Sequence, residues 1–84
     1  MPLFFVYIIY SQKLDKYYIG YTSDLQKRLS EHNSGFSSFT ASADDWTLKY
    51  SESYPDRESA MKREKEIKSK KSRKYIEWLI NSVG

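Results

Sequence analysis

The stretch LFFVYIIYSQKLDKYYIGYT, residues 3–22, decides the fold. From Leu3 to Tyr10 it is apolar, aromatic and β-branched without a break, which predicts a strand buried on both faces. Ser11 to Lys16 is short and polar and reads as a hairpin turn. Tyr17 to Thr22 is the return strand, with Gly20 near its end. Working outward, Ser23 and Asp24 offer an N-terminal cap, and a helix follows to about His32, stopped by Gly35. The connection Asn33 to Asp45 is rich in Ser, Gly and Asp, and its Phe36 and Phe39 read as anchors to the core or contacts for a partner. Trp46 to Tyr54 alternates, placing Trp46, Leu48 and Tyr50 on one side of a third strand that Pro55 ends. Asp56 caps a second helix running to about Lys70. Ser72 caps a third, with Tyr75, Ile76, Leu79, Ile80 and Val83 on one face. The expectation is one α+β domain over residues 1–84. It has a small three-stranded antiparallel sheet flanked by helices, in the order β-β-α-β-α-α.

The composition narrows the function. A chain of 84 residues buries only about 60% of the surface its unfolded form exposes, so the core must be economical. The absence of cysteine excludes a disulfide scaffold, a zinc ribbon and a thiol nucleophile, and a single histidine excludes a multi-histidine metal site. The eight-residue apolar run is too short to cross a membrane and lacks the flanks of a signal peptide, so a cytoplasmic protein without membrane association is expected. The net charge of +3 is unevenly spread. Between residues 62 and 74 lie Lys62, Arg63, Lys65, Lys68, Lys70, Lys71, Arg73 and Lys74, opposed only by Glu64 and Glu66. Such a segment suits phosphate backbones, and equally describes a solvated helical face.

The second helix gives the sharpest local signal. At about 100° per residue, with Ala60 at zero, Ile67 falls at about −20°, Glu64 at about 40° and Glu66 on the opposite side. A carboxylate on a core-facing stripe is costly unless it is paired or holds a metal. An ion pair with an arginine answers the same cost. On the first helix, Arg28 and His32 are four apart and share a face beside Leu25 and Leu29. Arg28 could hold a phosphate bidentately, or cover leucine with its stem, and a lone histidine is commonly a hydrogen-bonded structural group. In the hairpin, an odd pairing register puts Tyr7 and Tyr18 on one face and an even one puts Tyr17 there instead.

Taken in order, these residues resemble the GIY-YIG nuclease superfamily. Phe5-Val6-Tyr7 stands for the first motif and Tyr18-Ile19-Gly20 for the second, with ten residues between the tyrosines. Arg28-Leu29, Glu31-His32-Asn33 and the run Arg63 to Lys68 follow. The resemblance covers roughly Leu3 to Ile80. It is closest to small stand-alone bacterial members similar to the N-terminal nuclease domain of UvrC. It implies a metal-dependent endonuclease that hydrolyses phosphodiester bonds in DNA, with repair or branched intermediates as substrates and RNA not excluded. It implies catalytic roles for Tyr7, Tyr18, Arg28, His32 and Glu64, with Tyr7 helping to deprotonate water, Arg28 stabilising the phosphate and Glu64 holding Mg²⁺ or Mn²⁺. Gly20, Lys62, Lys65, Lys68, Lys70, Lys71 and Arg73 are the expected substrate contacts. A homodimer or a targeting partner protein would supply what so small a domain lacks. Two departures stand out. Phe5 replaces the first motif's glycine, and the asparagine that follows the glutamate in some members has no counterpart. Two other functions fit the composition: a non-catalytic nucleic-acid binding module that keeps the fold and basic patch, and a small interaction domain whose lysines are merely solvated.

Overall fold

The computed structural model describes residues 3–35 and 40–82. Phe36, Phe39 and Val83 lie outside the described residues. Three strands form one antiparallel sheet: β1 (Phe4–Ser11), β2 (Lys16–Thr22) and β3 (Thr47–Tyr54), in spatial order β2-β1-β3. Three helices complete the β-β-α-β-α-α order: α1 (Leu25–Asn33) after β2, then α2 (Arg57–Ser69) and α3 (Arg73–Asn81) after β3. The expected α+β fold is therefore the observed one. The apolar run becomes the central strand, and Val6, Tyr7, Ile8 and Ile9 are all buried because helices or loops cover both faces.

The caps explain where the helices begin. Asp24 accepts from the Lys27 N–H, Asp56 from the Ser59 N–H and Ser72 from the Tyr75 N–H, each satisfying one orphan donor of a first turn. At the hairpin turn, Asp15 adopts a left-handed φ of 51°, a conformation that aspartate tolerates better than most residues. Arg73 holds that turn. It reaches the Asp15 carboxylate at 2.6 Å and the Asp15 carbonyl at 3.1 Å, with its guanidinium 5.2 Å from the Tyr17 ring centroid.

Tyr7 pairs with Gly20, so the register is odd and Tyr7 and Tyr18 share a face. The two faces differ. Val6, Ile8 and Ile19 pack against Ala60 and Ile67 of α2 and Leu79 of α3. Tyr7 and Ile9 pack against Trp46 and Ala43, with Tyr18, Leu25 and Leu29 alongside. The expected alternation of β3 is corrected here. Ile8 pairs with Tyr50 but Ile9 pairs with Leu48, so a bulge at Lys49 reverses the facing of everything before it. Trp46 is buried with Tyr7, Tyr50 packs on the opposite face, and Leu48 is left 42% exposed. No helix among the described residues is long and apolar enough to cross a membrane.

Candidate active site

The site grows from Gly20. A Cβ there would lie 2.5 Å from the Tyr7 hydroxyl, 2.8 Å from its Cζ and 3.2 Å from Tyr18 Cε1. Only glycine lets the Tyr7 hydroxyl settle on the β2 backbone. The Tyr7 oxygen lies 2.8 Å from His32 Nε2, and His32 Nδ1 lies 2.8 Å from Thr40 Oγ1. The Trp46 indole N–H donates to the Thr40 carbonyl at 3.0 Å. His32 and Thr40 are fully buried, so the imidazole end of this chain is shut off from water.

No buried side-chain nitrogen or oxygen among the described residues lacks a partner. Arg28 lies near the Tyr7 phenol and works to lower its pKa. When the Tyr7 O–H is given to His32 Nε2, the two ring nitrogens take opposite roles. His32 Nδ1–H then donates to Thr40 Oγ1. Burial, followed by the nearby Arg28 charge, pushes the His32 pKa down to about 4, with Glu31 opposing weakly. The imidazole is therefore neutral near pH 7, as an acceptor must be. Burial pushes Tyr7 up to about 12, and the Arg28 hydrogen bond works against that shift.

Arg28, from the middle of α1, also pairs with Glu31 at 3.1 Å. Burial disfavours its charge, but the hydrogen bonds to Tyr7 and Glu31 outweigh that and raise its pKa. It lines an open polar groove of about 330 Å³ at the start of α1, so an anion can approach it from outside. Tyr18 completes the aromatic cluster, its ring centroid 4.9 Å from that of His32 and 6.4 Å from that of Tyr7.

Glu64 comes from α2. Its side chain is only 15% exposed and meets Lys68 Nζ at 3.7 Å, a long contact with a half-exposed lysine. Its charge adds the smallest of the influences that raise the Tyr7 pKa, behind burial. Helical phase anticipated both the half-burial of Glu64 and the exposure of Glu66. Among the described residues no three His, Cys, Asp or Glu side chains converge. One half-buried carboxylate suits a hard, hydrated cation such as Mg²⁺, which takes one or two protein carboxylates and keeps several waters.

The residues of the basic segment differ in what they touch. Around α2, Lys68 and Lys65 fall on the Glu64 side, at about 80° and 140° from Ala60, and Lys62 at about 200°. Lys62, Lys65, Lys70 and Lys71 are exposed. Lys70 lies over Tyr75, 5.6 Å from its centroid. Arg73 is engaged with Asp15 and with Glu77 at 3.3 Å. Arg63, counted in the basic run, turns inward at about −60° and grips Glu52 of β3 with two bonds of 2.9 and 3.1 Å. Tyr54 also donates to Glu52 at 2.7 Å, as does Tyr50. Burial and then Glu52 push both phenols up to about 12.

Sequence reasoning missed two supports. Thr40 fixes the histidine from a loop with no periodic signal. Asn33 clamps the Trp46 backbone, accepting its N–H at 2.7 Å and donating to its carbonyl at 3.0 Å.

Known proteins share this plan. The profile of the GIY-YIG catalytic domain matches residues 3–76. A UPF0213 protein of Halobacterium salinarum is 43% identical over 53 residues, covering 62% of this chain and 69% of that protein. A UPF0213 protein of Bacillus velezensis is 41% identical over 64 residues, covering 71% of this chain and 65% of that protein. The match thus spans about two thirds of the length of these relatives. The solution NMR structure of a UPF0213 protein from Bacillus halodurans superposes with a TM-score of 0.59 at 31% identity, over 94% of this chain and 83% of that one. By its sequence profile, its fold and its relatives, this chain belongs to the GIY-YIG catalytic domain family.

Proposed function

We propose that the domain is a metal-dependent endonuclease that hydrolyses phosphodiester bonds in DNA, using Tyr7, Tyr18, Arg28, His32 and Glu64. The supporting observation is the Tyr7–His32 hydrogen bond, backed by Thr40 and made possible by Gly20, with the Arg28 charge close enough to act on the phenol. This is a ready path for a proton. As a water reaching the Tyr7 oxygen gives up its proton, the phenol passes its own to neutral His32, so free tyrosinate is never needed and the buried imidazolium, itself disfavoured, forms only in passing. That matters because tyrosinate is unfavourable here: the phenol is pushed up to about 12. Thr40 keeps the accepting nitrogen aimed at Tyr7. Arg28 offsets charge on the phosphate from a preorganised position. Tyr18 packs its ring beside the histidine.

The family implies a divalent metal, and the Glu64 carboxylate fits one. Bound there, Mg²⁺ or Mn²⁺ would offset phosphate charge and stabilise the leaving oxygen. Lys65 and Lys68 on the same side of α2 would meet the DNA backbone without reading sequence.

The test is nicking of supercoiled plasmid with Mg²⁺ or Mn²⁺, wild type beside Glu64→Ala. Wild type should nick, and the variant should lose at least about a hundredfold while keeping its melting temperature. Retained cleavage in the purified variant would refute the assignment. A non-catalytic binding module is favoured by one observation, the near-complete burial of Tyr7. Salt-sensitive DNA binding without nicking by either protein would select it.

A further inference from the structure

β2 is an edge strand, and its two faces open onto different surroundings. Tyr18 faces the candidate catalytic cluster. On the side of Tyr17 and Ile19, a groove of about 380 Å³ runs between β2 and the α2–α3 junction. Its apolar floor is Ile76, over the nearly buried Ile19 and Ile67, and Lys16, Lys68 and Lys71 stand along it with the paired Asp15 and Arg73. An apolar floor with cationic walls suits a ligand that is flat and apolar in one part and anionic in another. Lys68 joins the two sides. Its Nζ lies 3.7 Å from Glu64 Oε1 and 5.9 Å from the Tyr18 ring centroid, and its side chain also lines the groove. A strand with a phosphate beside Glu64 therefore has a neighbouring nucleotide within reach of this groove.

We propose that the groove receives one unpaired nucleotide of the substrate strand, its base on the isoleucine floor and its phosphate between Lys16 and Lys71. This rests on reading the site as a phosphodiesterase and adds a preference to it. A base in intact duplex is stacked and paired and must be extruded to enter, whereas an unpaired base enters at lower cost. The domain should therefore bind a duplex carrying one unpaired nucleotide more tightly than the intact duplex.

The experiment measures binding in metal-free buffer, independently of cleavage. The probes are a duplex carrying one unpaired 2-aminopurine nucleotide and the same duplex without it. Wild type and Glu64→Ala should both bind the bulged duplex about tenfold more tightly, with a change in 2-aminopurine emission. A Lys16→Gln, Lys71→Asn double variant should reduce the preference to less than about twofold at an unchanged melting temperature. Asparagine is chosen because Lys71 has a left-handed φ of 48°, which asparagine adopts readily. Equal affinity for the two duplexes, or a preference that survives in the double variant, overturns the proposal. Absence of plasmid nicking together with an intact preference refutes only the nuclease reading.

Discussion

The two faces of the sheet are built on different principles. Against α2 and α3, β1 presents Val6 and Ile8 to Ala60, Ile67 and Leu79. At its centre that face is non-directional apolar burial, rimmed by the hydrogen bonds of Arg63, Tyr50 and Tyr54 to Glu52, and similar volumes could replace one another at the centre at modest cost. Against α1 and the segment before β3, the same strand presents Tyr7, Ile9 and Ser11. All three buried polar residues of the described chain, Ser11, His32 and Thr40, are hydrogen-bonded on this side: His32 and Thr40 to each other, and Ser11 to Asp45 at 2.6 Å. Buried polar networks are directional and fail when one member is missing. The contrast teaches that one face supplies cohesion while the other holds hydroxyl and imidazole groups in a set geometry.

Removing a network member should cost most. His32→Ala removes the imidazole that bridges Tyr7 and Thr40 and opens a cavity, so about 3 kcal/mol or more of stability should disappear. Ile67→Val on the other face should cost about 1 kcal/mol. Urea denaturation of both variants checks the contrast, and equal losses would break it.

The pH dependence comes next and has a definite sign. His32 is held down to about 4 in the folded state, below its ordinary value of 6.5. Between those values the unfolded chain binds a proton that the folded one refuses. The stability contribution is therefore present above about pH 6.5 and lost as pH falls through about 4, at most about 3 kcal/mol. Urea midpoints at pH 7 and pH 4.5 should differ more for wild type than for His32→Gln. Identical pH slopes would mean that the imidazole is not held neutral by burial.

Gly20→Ala should follow, at about 1–3 kcal/mol. Its methyl group displaces the Tyr7 hydroxyl, so cleavage should fall even in the folded fraction. A variant as active as wild type per folded molecule would remove Gly20 from the account. Leu48→Ser marks the small end, with a change within about 0.5 kcal/mol, because this leucine is half in water. A large loss would mean that the β3 bulge is wrongly placed.

That last residue shows where the sequence stops being legible. Strands, helices and caps were readable because periodicity and Asp or Ser at helix starts are local signals. Helical phase placed Glu64 between core and surface for the same reason. The β3 bulge is a tertiary event: an extra residue, Lys49, reverses the facing of Leu48 and Trp46, whereas alternation alone places both on the side of Tyr50. The hairpin register was open because turn composition does not choose between Tyr17 and Tyr18 as the companion of Tyr7. Thr40 and Asn33 were invisible, since their partners His32 and Trp46 are brought to them only by folding. Arg63 was counted as surface charge, although its phase on α2 turned it toward Glu52.

Neighbouring residues on one strand test the central claim most directly. Tyr7 and Ile8 are adjacent, both buried, and face opposite sides. Plasmid nicking and urea stability should be measured on Tyr7→Phe and Ile8→Val together. The account predicts that Tyr7→Phe loses about a hundredfold or more in cleavage while remaining folded. Ile8→Val should lose about 1 kcal/mol of stability while cleaving at the wild-type rate per folded molecule. Full activity in folded Tyr7→Phe would contradict the claim that the two faces carry separate duties.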